Sequence, residues 1–149
     1  MTRTLAPLFA ALLLTTAPAA HAAPPAKTAS AAAEEKIVYH VNDIAVARMA
    51  MNNVNNHLNA NPKARIVVVT HGKGIDFLLN GAEDANGNPY EIGVQALTDK
   101  GVSFRVCNNT LRSRNLDATA VVPEATVVPS GVAEIGRLQS QEGYGYLKP

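Results

Sequence analysis

The chain has 149 residues, 47% hydrophobic and 17% charged, which is the composition of an ordinary globular protein with room for one domain around one buried core. Its 13 lysines and arginines against 12 acids give a net charge of +1, with no basic stretch that would neutralise several phosphates. Nucleic acid is therefore not an expected partner.

Residues 1–22, "MTRTLAPLFAALLLTTAPAAHA", have the layout of a secretory signal: one basic residue, Arg3, an apolar run from Leu5 to Ala17, and small residues at Ala20 and Ala22. Pro7 and the Thr15–Thr16 pair interrupt the run, which falls short of the roughly 20 residues that span a bilayer. Cleavage after Ala22 is expected, with a periplasmic location and no membrane attachment afterwards. The mature chain would hold 12 basic and 12 acidic residues. Residues 23–35 open with "APPAKTASAAA", which lacks the large apolar side chains needed to offset the entropy of ordering. They are expected to be a flexible Ala/Pro-rich linker ahead of a single domain over 36–149.

Within that domain, "KIVYHV" from Lys36 is short, β-branched and aromatic, hence a strand. Asp43 is placed to cap a following helix in which Ile44, Ala47, Met51, Val54 and Leu58 make one apolar stripe. Asn52, Asn53, Asn55 and Asn56 fall off the stripe as a solvated face, His57 is expected to be exposed among them, and Asn61-Pro62 stops the helix. "ARIVVVTHG" reads as a second strand whose unbroken Ile66–Val69 run implies burial on both faces, as in a central parallel strand. "GIDFLLNGAE" predicts a short helix, "DANGNPY" a surface loop dense in turn residues, and "YEIGVQALTDKG" a helix ending at Gly101.

"VSFRVC" is the third strand, with Val102, Phe104 and Val106 on one face and Ser103, Arg105 and Cys107 on the other. "NNTLRSRNLD" starts a helix with Asn108 or Asn109 as cap, "ATVVP" is a fourth strand, "SGVAEIGRLQSQEG" a closing helix and "YGYLKP" a short terminal edge strand. Strands alternating with helices imply a parallel sheet with helices on both faces. In such a sheet ligands bind where the carboxyl ends of the strands gather. His40, His71 and Cys107 all fall at that edge.

Cys107 is the only cysteine. In an oxidising compartment it is restricted to an intermolecular or mixed disulfide or a free reactive thiol, and the plainer alternative is a buried small hydrophobe. It stands immediately before a helix start, where free N–H groups and the positive end of the helix dipole favour the thiolate, the form that attacks sulfur and binds metal. His40 and His71 are read either as groups that shape this site or as ordinary strand-end histidines. Two imidazoles and a thiolate would also suit zinc or copper.

These residues carry a resemblance. "VVVTHGKGIDFLLNG", "VSFRVCNNTLRSRNL" and "VVPSGVAEIGRLQSQEGYGYLKP", in that order, resemble segments of the DsrE/DsrF-like sulfur-relay family over about Lys36 to Pro149. The resemblance implies a three-layer α/β/α flavodoxin-like fold with a mostly parallel sheet of about five strands, assembled as a homotrimer or homohexamer. It also implies that Cys107 accepts sulfur as a persulfide from a donor protein or molecule and passes it to an acceptor, a sulfurtransferase-like carrier role. The familiar relay complexes are cytoplasmic, which sets an exported chain apart from them.

The chain has no G-x-G-x-x-G after the first strand, no G-x-x-x-x-G-K-[ST] and no G-x-S-x-G, so dinucleotide, NTPase and α/β-hydrolase chemistries lack their signatures. "HGKG", His71 to Gly74, supplies two glycines and a lysine as a weak anion signal. Without Trp and with 5% aromatic residues a flavin platform is not expected, and no cofactor is assigned. The leading expectation is an exported sulfur carrier or thiol-exchange protein using Cys107, with His71 as its partner in the chemistry. The alternative is a non-enzymatic homo-oligomeric module that holds a metal or small ligand with His40, His71 and Cys107. A scaffold with an unused thiol is the third.

Overall fold

The computed structural model describes residues 34–149; the expected signal over 1–22 and all but the last two residues of the expected linker lie outside the described residues. Glu34 and Glu35, at the end of that linker, already contact the domain: Arg65 Nε donates to Glu34 Oε1 at 2.6 Å and the Arg65 backbone N–H to the Glu35 carbonyl at 2.7 Å.

Five strands form one sheet: β1 Lys36–Val41, β2 Arg65–Thr70, β3 Ser103–Cys107, β4 Ala125–Val128 and β5 Gly145–Leu147. Their spatial order is β4-β3-β2-β1-β5, and every pairing is parallel. The order follows from the handedness of β-helix-β crossovers, which puts helices on one face while the chain steps one way across a sheet and on the other face when it returns. Three steps from β1 to β4 place α1 (Ala47–Ala60), the 3-10 segment Gly72–Leu78, α2 (Tyr90–Thr98) and α3 (Asn108–Ser113) on the same side. The return from β4 to β5, across the whole sheet, carries α4 (Gly131–Glu142) over the opposite side.

Two cores of unequal size result. The larger joins Tyr39, Val41, Ile66, Val68, Phe104 and Val106 of the sheet to Ala50, Met51 and Val54 of α1, Phe77 and Leu78 of the 3-10 segment, Val94 of α2 and Leu111 of α3. The smaller joins Val38, Val67 and Val69 to Ile135 and Leu138 of α4. Both faces of β2 are covered, as its unbroken aliphatic run required, and its last five residues are buried. The outcome is the three-layer α/β/α sandwich expected from the sequence.

The local signals are met with small shifts. Asp43 accepts from the Ala45 N–H at 2.9 Å, but the turn it caps is a 3-10 turn, Ile44–Val46, before α1 proper begins. The helix expected at Gly74 starts at Gly72 and is 3-10 throughout. Its tight path brings Gly74 so close to β1 that a Cβ there would lie 2.1 Å from the Val41 carbonyl oxygen, so only glycine fits. The DANGNP loop is ordered by Asp84, which accepts from the Asn86 and Asn88 N–H groups and pairs with Arg48 of α1 at 2.9 Å. Arg48 also lies over the Tyr90 ring, 4.2 Å from its centroid, and so ties loop, α1 and α2 together. No helix of the described residues is long and apolar enough to cross a membrane.

Candidate functional site at the carboxyl edge of the sheet

Side chains alternate along a strand, so Val38 and His40, Val67, Val69 and His71, and Arg105 and Cys107 lean toward the α4 side, the thinner of the two layers. α4 meets this edge with its first residue. A Cβ on Gly131 would lie 3.2 Å from the Cys107 Cβ, 3.3 Å from the His71 Cβ and 2.9 Å from the Thr70 carbonyl oxygen, so Cys107 and His71 flank one glycine. The missing side chain lets the start of α4 sit against both.

Cys107 is 4% exposed and occupies the N-cap position of α3, one residue earlier than the asparagines expected there. Burial raises its pKa, the largest single influence. Four donors act the other way and together outweigh it: the N–H of Gly131, the hydroxyl and N–H of Thr110, and the N–H of Asn109. The net result is a thiol held below its ordinary value. These groups gain most from the sulfur as a thiolate. The groups that lower this thiol are thus backbone N–H groups, as expected of a cysteine at a helix start, joined by the Thr110 hydroxyl and by Gly131 of α4.

His40 and His71 stack with ring centroids 4.7 Å apart, and their Nε2 atoms are 2.6 Å apart, one donating to the other. Nδ1 of His40 hydrogen-bonds the Tyr146 hydroxyl of β5 at 2.7 Å. Tyr146, His40 and His71 therefore form a continuous hydrogen-bonded chain. Burial, then His71, then the Lys148 ammonium hold His40 below its ordinary pKa, and burial followed by Lys148 does the same to His71. Both rings are accordingly neutral near pH 7. No group of three His, Cys, Asp or Glu side chains that could hold a metal ion occurs among the described residues.

The other expected residues take structural places. Arg105 is paired with Glu134 of α4, which also binds Arg137 at 2.8 Å. Arg114 is paired with Asp76. His57, expected to be exposed, is half-buried: its Nδ1 contacts the Tyr39 hydroxyl at 3.1 Å and its Nε2 lies 3.2 Å from Glu35 Oε1. Thr110, Gly131 and Tyr146 were not singled out from the sequence. The S-G dipeptide opening α4 was legible as a helix start, yet its neighbour across the sheet depends on strand order, which local pattern does not carry.

A family model for the DsrE/DsrF-like family matches residues 11–149. Among solved structures, the protein of unknown function MTH1491 from Methanobacterium thermoautotrophicum is similar over 78% of this chain and 100% of its own, with 31% identity and a TM-score of 0.71. The ychN protein from E. coli matches over 77% of this chain and 99% of its own with a TM-score of 0.65; at 12% identity that likeness concerns the fold alone. No curated protein matches the sequence.

Proposed function

The chain belongs to the DsrE/DsrF-like family, which ties it to sulfur relay in general, and from that premise we propose that it is a sulfur carrier or thiol-exchange protein in which Cys107 takes up sulfur as a persulfide. The observation that carries the reading is the setting of the sulfur: buried at a strand end, at the N-cap of α3 and against the first residue of α4, where nearby N–H groups favour its thiolate.

The transfer needs no cofactor. The Cys107 thiolate attacks the terminal sulfur of a donor R–S–S–H; a Cys107 Sγ–S bond forms, the donor's S–S bond breaks, and its electron pair leaves on R–S⁻. The hydrogen remains on the transferred sulfur, and no net oxidation occurs. His71, held neutral beside the thiol, is available as a base, and His40 and Tyr146 extend the path for its proton to the surface. The reading includes an exported setting, from the signal-like first 22 residues, and assembly as a homotrimer or homohexamer.

The test is intact-protein mass spectrometry after exposure of the reduced protein to inorganic polysulfide. One added sulfur, removed by dithiothreitol and absent in Cys107→Ser, is expected; because the chain has a single cysteine, no second thiol can account for it. Thr110→Val should raise the pH of half-maximal alkylation, since it removes one donor to the thiolate. Absence of any adduct on the folded wild type would remove the carrier role.

A further inference from the structure

The thiol that the carrier role requires is covered. Cys107 is 4% exposed at the end of β3, and on the α4 side of the sheet it meets Gly131, whose added Cβ would stand 3.2 Å from its own. That cover is held down lightly. α4 buries Gly131, Ile135 and Leu138, against Ala47, Ala50, Met51, Val54 and Leu58 for α1. Within its first turn Val132 is 65% exposed and Ala133 is exposed too, and the Ser130 hydroxyl accepts from the Ala133 N–H at a long 3.4 Å. The tie that remains is electrostatic. Glu134 pairs with Arg105, two residues before Cys107 on the same face of β3, and among the described residues this is the only ion pair that joins α4 to the sheet.

We infer that the first turn of α4, Ser130 to Glu134, is a hinged cover over Cys107, latched by the Arg105–Glu134 pair, and that a sulfur donor reaches the thiol only when this turn swings off the sheet. The inference rests on the carrier reading and adds the control of access to that same site. A segment with few buried apolar side chains opens locally at much less cost than the whole domain. The larger core contains no residue of α4, so it stays intact while the turn is open. Closed, the turn shelters the thiol, and a persulfide formed on it, from solvent.

The experiment follows alkylation of Cys107 by iodoacetamide in the full chain, read on the alkaline plateau of the pH profile, where the thiol is fully ionised and a shift in its pKa does not enter. Glu134→Gln and Arg105→Gln both break the latch while changing the local charge in opposite senses. Both are expected to raise the plateau rate about threefold or more, the scale of one partly buried ion pair. Glu142→Gln, at the far end of the same helix, is expected to leave the rate unchanged. In wild type, the urea dependence of the rate is expected to be less than about half as steep as that of global unfolding, because a local opening exposes less surface. Opposite or absent changes in the two latch variants, an equal gain in Glu142→Gln, or a wild-type slope as steep as global unfolding overturns the cover; sulfur uptake from polysulfide by the wild type then leaves the carrier reading standing. A folded wild type that is alkylated but takes up no sulfur overturns the carrier reading instead.

Discussion

Cys107 has a thiol pKa lowered by neighbouring N–H groups and the Thr110 hydroxyl, and two histidines at the same sheet edge are kept neutral. That neutrality has a sign that stability measurements can read. The folded pKa of His40 and of His71 is depressed, so between that value and the ordinary value of about 6.5 the unfolded chain binds more protons than the folded one. Their contribution is therefore fully present above about pH 6.5 and is lost as pH falls through the folded values. Urea midpoints measured from pH 7.5 down to pH 5 should fall in wild type and fall less steeply in a His40→Gln, His71→Gln double variant; an equal slope in both would refute the burial of the pair. The position of Cys107, His40 and His71 at one edge was legible because it needs only strand ends. The free N–H groups after Cys107 were legible as a helix start, but Gly131 was not, since it lies 24 residues beyond Cys107 in the sequence and meets it only through the sheet.

At the scale of elements, glycine contacts show where the packing has no slack. At Gly74 the added Cβ would press on backbone, the Val41 carbonyl carbon at 2.6 Å and its oxygen at 2.1 Å, so the 3-10 segment must move bodily off β1. Gly74→Ala is expected to cost about 3 kcal/mol or more. Gly131→Ala meets looser contacts, 2.9 Å at the nearest, and is expected to cost about 1–2 kcal/mol while lifting the start of α4 from the thiol and raising its pKa. Chemical denaturation with alkylation at several pH values distinguishes the two; a Gly74→Ala protein as stable as wild type would contradict the close approach. The helices themselves were largely readable from period. α1 buries Ala47, Met51, Val54 and Leu58 of the expected stripe. The 3-10 character of Gly72–Leu78 was not, because an apolar triplet after two glycines fits either helix and the contact with β1 decides.

Across the sheet, the layer architecture followed from alternation, while strand order did not: nothing local says that the chain leaving β4 crosses β3, β2 and β1 to add β5 on the outer edge of β1. β5 is three exposed residues long, yet it covers the β1 edge and supplies Tyr146 to His40. Deleting residues 143–149 should lower Tm by about 5 °C or more, as each kcal/mol moves a domain of this size by roughly 4 °C, and should expose β1 as a pairing edge that promotes association of chains. Calorimetry and sedimentation check this, and an unchanged Tm would deny β5 a structural part. The return crossover also orders events in time. Ile37 pairs with Gly145, and His40 bonds a residue 106 positions away, so the first strand synthesised waits for the last. Contacts of such separation are slow to form because the loop must close before they contribute. A nascent chain can assemble β1 to β4 with the thiol already at its strand end, but the histidine pair acquires its tyrosine only when synthesis is complete, so incompletely made chains carry the thiol and the two histidines without the hydroxyl that His40 bonds.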